Sequence, residues 1–353
     1  MKRILFSMLF LSLLLSVCCA HAADETPVDE GTPQQESLQR VETVVYGSPS
    51  AGGLFLRLAK VERDLFGMEL PGSLTERQQA LRSFIEEGTP TQPSLVFKVG
   101  VAEWVTLSKV NPSVPLADRM SNLEITLEGE PQAGALSARL ERVLTKLLPD
   151  GVHSVQIQVP AATILKAAFA KTLTVRNVSK GDIVELNITE DCVIGGVLAV
   201  AKGDRVFAEV TKVKMPRSFG RTSEISVEFR EAESIGGGRV PVTLGPQAKK
   251  AMQIDSGTIG AAGASIAGAV LLGPLGLAGG FLVRGSDKQI PAGSLVYVEI
   301  SEDTPVAGYP ISERPSPAET AIGTTTYDNS QQQPSDFVPI DEPGQTTPSG
   351  ENF

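Results

Sequence analysis

Along this chain the spacing of apolar positions changes character once, near Val152, from a helical period to a strand period. Upstream, Leu54, Leu58, Val61 and Leu65, and again Leu136, Leu140, Val143 and Leu147, fall three or four residues apart, as on one face of an α-helix. Both runs belong to an internal duplication. The stretch 54–81 matches 116–143 without a gap, so that every position keeps the offset that carries Leu54 onto Leu116. Arg57, Glu62, Leu65, Gly67, Gly72, Leu74 and Arg77 recur as Arg119, Glu124, Leu127, Gly129, Gly134, Leu136 and Arg139. Gly67 and Gly129 stand where a helix C-cap belongs, and Ser73-x-x-Glu76 reads as a capping box opening the next helix. Each copy, 54–86 and 116–148, is therefore expected to be a helical hairpin. A fifth helix over 93–110 should lie between them and carry the only tryptophan, Trp104. That ring can be a core or interface anchor, or a ligand platform; the first is the commoner use of a tryptophan. Two copies are fewer than a solenoid needs, which favours a small domain packed on itself over an array that docks a partner.

Downstream the pattern is short apolar runs that alternate, at even spacing, with turn residues between them. The runs are IVELNI, GGVLAV, RVFAEVTKV, EISVEF and RVPVTL, and the turns are Lys180-Gly181-Asp182, Lys202-Gly203-Asp204 and Gly236-Gly237-Gly238. Such spacing predicts a small antiparallel barrel or sandwich, closed by one more strand over 290–300. Inside it lies a stretch with neither alternation nor charge, Ser256 to Val283. Small residues recur there every fourth position: Gly260, Ala264 and Gly268, then Gly276 and Gly280. On a helix this makes a flat stripe against which another backbone can lie. Gly273-Pro274 interrupts the run, so 256–283 is expected to be a helical hairpin of two arms.

The two ends of the chain read differently. Lys2 and Arg3, the apolar stretch from Ile4 to Val17, and Ala20-His21-Ala22 before Ala23 form a secretory signal over 1–22, cut between Ala22 and Ala23. Cys18 and Cys19 leave open lipid attachment, although Val17 and Cys18 precede them where a small residue is expected. Residues 23–45 and 305–353 are acidic and rich in Pro, Gln, Thr and Glu, and are expected to be a disordered leader and a disordered tail.

Export changes the candidate chemistry. Without the signal, Cys192 and His153 are each alone, so no internal disulfide, Cys/His metal site or histidine triad can form within one chain. Removing Lys2 and Arg3 takes the formal charge from −10 to −12, which argues against a nucleic-acid partner. No Gly-x-Ser-x-Gly, His-Glu-x-x-His or phosphate loop occurs in the sequence. Asp182, Glu190, Asp191 and Asp204 could form a calcium-like set, but carboxylates at β-turns commonly serve the turn alone. Lys214 to Arg221 is a basic loop that reads as a contact for anionic lipid or glycan, or as a solvated hairpin tip. No cofactor, metal or catalytic residue is expected.

Several of these segments together resemble a known group. They are Val159-Pro160-Ala161-Ala162-Thr163, Lys180-Gly181-Asp182-Ile183-Val184, Ala201-Lys202-Gly203, Val240-Pro241-Val242, the glycine-rich run, and Ile290-Pro291-Ala292-Gly293-Ser294. Their order resembles that of a group of poorly characterised secreted bacterial β-barrel proteins with repeated I-P-A-G-T strands. More distantly it resembles the C-terminal barrel of the channel scaffold protein of type IV secretion systems, in which a helical hairpin interrupts the barrel and inserts in the outer membrane. The likeness covers about 155–304. Ala162 replaces the first glycine and Ala201-Lys202-Gly203 lacks the usual proline. The resemblance implies a fold and no activity.

The sequence thus predicts an α+β multidomain chain: a helical repeat domain over 46–151, then a small antiparallel β-barrel or sandwich over 152–304 with a Gly-rich helical hairpin. The function expected is that of an exported cell-envelope scaffold in the periplasm or at the outer membrane, and not of an enzyme. Its partners would be membrane lipid or copies of itself through the hairpin, with another envelope protein through the helical repeats. The alternative is a soluble periplasmic binding module for peptidoglycan or a protein partner, its hairpin buried between subunits.

Overall fold

The computed structural model describes residues 32–215, 223–261, 280–285 and 289–311. The expected signal with Ala22 and Ala23 lies outside them, as do Ala264, Gly268 and Gly276 and the residues beyond 311.

Among the described residues six α-helices come first: α1 Pro33–Tyr46, α2 Leu54–Phe66, α3 Leu74–Arg82, which continues as a π-helical turn over Ser83–Glu87, α4 Leu95–Leu107, α5 Leu116–Glu128 and α6 Leu136–Leu147. The two hairpins of the duplication are α2–α3 and α5–α6, and Ser73 and Glu76 make the reciprocal capping box. The leader expected to be disordered through 45 is corrected here. Thr32 caps α1 reciprocally with Gln35, and Leu38, Val41 and Val45 are buried. The acidic, Gln-rich composition hid a helix that is polar on one face and seals the core with the other.

The repeat is therefore three helices long, not two. The N-caps Thr32 and Ser94 stand at the same offset as Leu54 and Leu116, but α1 has 14 residues and α4 has 13. That single-residue difference breaks a gapless match. Both helices end in the left-handed region, Gly47 at φ 84° and Ser108 at φ 54°, so glycine marks only the first.

Buried ion pairs tie consecutive helices together. Arg57 on α2 holds Glu42 on α1 through two guanidinium nitrogens. Arg77 holds Glu62 at 2.8 and 2.5 Å, and Arg119 holds Glu103 at 3.0 and 2.8 Å. Arg139 holds Glu124 at 2.6 Å, joined by Arg142 at 3.0 Å. Glu62, Glu103 and Glu124 each also accept the backbone N–H eight residues on, from Leu70, Asn111 and Gln132. A buried carboxylate survives only when its oxygens are occupied in this way. The recurring Arg and Glu of the duplication are thus connectors between helices.

Eleven strands are described. The barrel is β6 (Arg205–Lys214), β3 (Ile183–Ile188), β2 (Ile164–Phe169), β10 (Leu295–Ile300), β8 (Arg239–Thr243) and β7 (Ser223–Glu233), antiparallel and closed by pairing of β6 with β7. Alternate residues point inward, as in the pattern of β2, where Leu165, Ala167 and Phe169 are buried. The turns 160–163 and 291–294 are equivalents at the two ends of the β2–β10 pair. Ala162 takes φ 63° where Gly293 takes φ 82°, and their N–H groups donate to the Ile300 and Phe169 carbonyls at 2.8 Å each. The alanine that departs from the expected glycine sits in a glycine conformation.

A second sheet runs β1 (Val155–Val159), β11 (Thr304–Pro310), β5 (Val197–Val200) and β4 (Cys192–Ile194). The tail expected from 305 is corrected accordingly: 304–310 pairs with both β1 and β5. Its Pro and Gly disguised a strand. Gly308 is required there, because a Cβ would come within 2.9 Å of the Leu198 carbonyl oxygen.

This sheet joins the two halves of the chain. Leu198 and Tyr309 belong to the helical core, together with Ala201 and Ile235. Ala199, Val200 and Val306 belong to the barrel core. The boundary at 151 therefore separates elements, and the described residues form one compact unit.

The sequence predicts a helical hairpin over the Gly-rich run, 256–283. Its described flanks are a helix, α7, over Pro246–Ala261, and a strand, β9, over Gly280–Gly285. Gly260 lies in α7, but Gly280 pairs with Glu228 of β7. Gly280 is thus a strand residue and not a helical packing position, because the outer half of the long strand β7 supplies a free backbone edge that 280–285 joins.

Candidate functional site

Where the helical repeat meets the barrel, a loop, a turn and a tryptophan set the geometry. The turn Ala201-Lys202-Gly203-Asp204 repeats Ser179-Lys180-Gly181-Asp182. In each, the aspartate side chain accepts the N–H three residues back at 2.7 Å, and the glycine takes a φ of 93° or 98°. The first turn is open to solvent. The second lies beneath the helices: Val110 N–H donates to the Lys202 carbonyl at 2.8 Å, and a Cβ on Gly203 would overlap the Val110 carbonyl oxygen. Burial pushes the Asp204 carboxyl well above the ordinary carboxylate value. The Ala201 N–H opposes this and Glu233 adds to it.

Trp104 is buried in this junction. Its ring meets Tyr309 edge-on with centroids 6.0 Å apart, and its Nε1 donates to Asp191 at 2.9 Å. The other Asp191 oxygen accepts Lys202 N–H at 2.7 Å. Trp104 is an anchor between α4 and the barrel. The four carboxylates considered as a calcium-like set are dispersed among turn hydrogen bonds and an ion pair of Glu190 with Lys166. Among the described residues no group of His, Cys, Asp and Glu is placed to hold a metal.

Beside the junction opens a cleft of about 780 Å³. One wall is α1 with Arg40, Thr43 and Val44, α4 with Val96 and Gly100, and the loop Val110 to Leu116. The other is the start of β6 with Asp204 and Arg205, the end of β7 with Glu233, and the turn Ser234 to Gly237. Gly100 is mid-helix because the turn comes so close: a Cβ there would lie 3.1 Å from the Ile235 carbonyl oxygen. For the same reason Gly236 and Gly237, packed against Phe97 and Val96, carry no side chain. The glycine triplet predicted a turn. That it forms the floor of a cleft depends on α4, which is remote in sequence, and could not be read from the triplet.

The charges in the cleft are mostly spent. Arg119 is bound by Glu103. Arg205 grips Glu233 at 2.7 and 2.8 Å, and Arg239 reaches both Glu231 and Glu233. The guanidiniums of Arg205 and Arg239 both lie over the Phe207 ring. Arg40 is exposed and makes no hydrogen bond or ion pair among the described residues. Burial raises the nearby Glu86 carboxyl, against the pull of Arg40 and Arg82. Ser234 is buried on the cleft wall and its Oγ has no partner among the described residues.

No protein-family model matches the sequence, and no curated protein matches it. Among the described residues no helix is long and apolar enough to cross a membrane.

Proposed function

We propose that this chain is an exported cell-envelope scaffold protein that presents its Gly-rich run, 256–283, to membrane lipid or to other copies of itself. The observation that carries this reading is that the barrel fastens both flanks of the run. On one side Pro246 opens α7, and the buried Glu299 carboxylate of β10 accepts the Ala248 N–H at 2.8 Å, neutralising the positive end of that helix. On the other, 280–285 runs antiparallel to 223–228 along its whole length. An uncharged glycine-rich segment costs helix stability in water, by roughly 1 kcal/mol per glycine against alanine. Contact with lipid or a second helix offsets that cost through close backbone packing. The resemblance to secreted barrel proteins with such an insertion points the same way, and an enzymatic role is not proposed.

The test is fractionation of native cell envelopes carrying the full chain, a Gly268→Leu variant and a deletion of 257–283. The full chain is expected to sediment with membranes or to form oligomers, and both variants to lose that behaviour. Monomeric, membrane-free protein in all three would sink the reading. N-terminal sequencing of the exported protein checks the cut between Ala22 and Ala23; a lipid-bearing start at Cys18 or Cys19 would replace it.

A second reading, a soluble periplasmic binding module for peptidoglycan or a protein partner, is favoured by the cleft between the helical repeat and the barrel.

A further inference from the structure

We propose that this cleft binds a short peptide through a free C-terminal carboxylate, with Arg40 as the anchor and an aliphatic side chain beside it. The volume, about 780 Å³, lies in the upper part of the range of roughly 300–1,000 Å³ for sites that enclose a small ligand.

The lining narrows the chemistry. Its apolar members are aliphatic residues such as Val44, Val96, Val114 and Ile235 with Pro112 and Pro115, and no lining residue is aromatic. A sugar ring packs its C–H face on an aromatic plate, and the cleft offers none among the described residues. It offers aliphatic surface, suited to an aliphatic side chain. A polyanion or a phosphate dianion needs several convergent unspent cations. Here Arg119, Arg205 and Arg239 are already held by carboxylates, and Glu233 stands in the same wall. Arg40 has no carboxylate within ion-pair distance among the described residues, although Glu86 of the same lining attracts it, and it can take one incoming carboxylate. The floor supplies main chain in place of side chains. Gly236 and Gly237 let the turn lie close against Phe97 and Val96 of α4, so main chain rather than side chains lines this part of the cleft. The Ser234 hydroxyl beside them lacks a partner among the described residues, which is costly in a buried position. Terminal carboxylate capture beside exposed backbone is a recurring mode of peptide recognition.

This inference depends neither on where the chain resides nor on what 256–283 contacts. Its test uses the full mature chain in solution without membranes, so failure here leaves the fractionation result untouched. Fluorescein-labelled hexapeptide pools ending in Val, Leu or Ala would be titrated by fluorescence anisotropy, each as free acid and as C-terminal amide. The free acids are expected to bind, and the amides to bind at least about tenfold more weakly, the worth of one charge-assisted hydrogen bond. Arg40→Gln should lose the same factor for the acids and leave amide binding unchanged, while Arg40→Lys should recover part of it. Arg40 is exposed, so unchanged circular dichroism controls for folding. Equal binding of acid and amide, no binding by any pool, or displacement by inorganic phosphate or by an N-acetylglucosamine hexamer would each overturn the proposal.

Discussion

Replacing Glu124 by leucine is predicted to destabilise the protein by about 3–5 kcal/mol, the cost of leaving a buried charge without its partner. The carboxylate is fully buried and accepts from Arg139, Arg142 and the Gln132 N–H. The two arginines are not equally stranded by its loss. Arg142 is 39% exposed and can turn to water, whereas Arg139 is 12% exposed and remains trapped. The double variant Glu124→Leu/Arg139→Leu removes both charges and should be more stable than the sum of the single changes by at least about 2 kcal/mol. Urea unfolding followed by far-UV circular dichroism measures all four corners of the cycle. A pH arm supplies an independent check. Burial would raise the Glu124 carboxyl, but Arg139, the Gln132 N–H and Arg142 prevail and hold it below its ordinary value of 4.5. A carboxylate depressed in the folded state contributes stability above its unfolded value and loses it as pH falls through the folded one. Wild type should therefore weaken on acidification below about pH 4.5, and the double variant less steeply. Additive single effects, or identical acid slopes, would refute the view that these couples hold the repeat together.

Three further outcomes follow from the junction and the turns. Gly203→Ala places a methyl against the Val110 carbonyl at a φ of 98° and should cost about 2–4 kcal/mol; exposure of Trp104 reports it as a red-shifted emission, and an unshifted spectrum at wild-type stability would contradict the packing. Ala162→Gly relieves a left-handed alanine at φ 63° and should raise stability by about 0.5–1 kcal/mol, read from the urea midpoint; a lower midpoint would show that the turn prefers its methyl group. Asp204 has a raised folded value, so its contribution is complete below the unfolded value and is lost as pH rises through the folded one. Asp204→Asn keeps an oxygen for the Ala201 N–H and should therefore stabilise the protein at neutral pH but not in acid; equal effects at both would contradict a buried, hard-to-ionise carboxyl.

Local patterns were enough to place most elements. The period of Leu54, Leu58, Val61 and Leu65 marks α2 because one helical face is buried, and the alternation in 205–210 marks β6 because one strand face is. The constant offset between the two copies showed that Arg57, Glu62 and Arg77 recur as Arg119, Glu124 and Arg139. Their role needed the tertiary structure, because each pair bridges two different helices. Segments whose composition misleads were also beyond the sequence. Residues 33–46 look like a polar leader and 304–310 like a Pro- and Gly-bearing tail; each is ordered by burying a few side chains, Leu38, Val41 and Val45 or Val306 and Tyr309, in a core assembled elsewhere. The glycine run shows the same limit from the other side. Small residues at every fourth position suit a helix wherever they occur, but 280–285 is a strand, because backbone hydrogen bonding with β7 was available to it. The cleft was least legible. Its walls come from residues between 40 and 239, and a void exists only once two surfaces face each other, which no local pattern of hydrophobic and polar positions encodes.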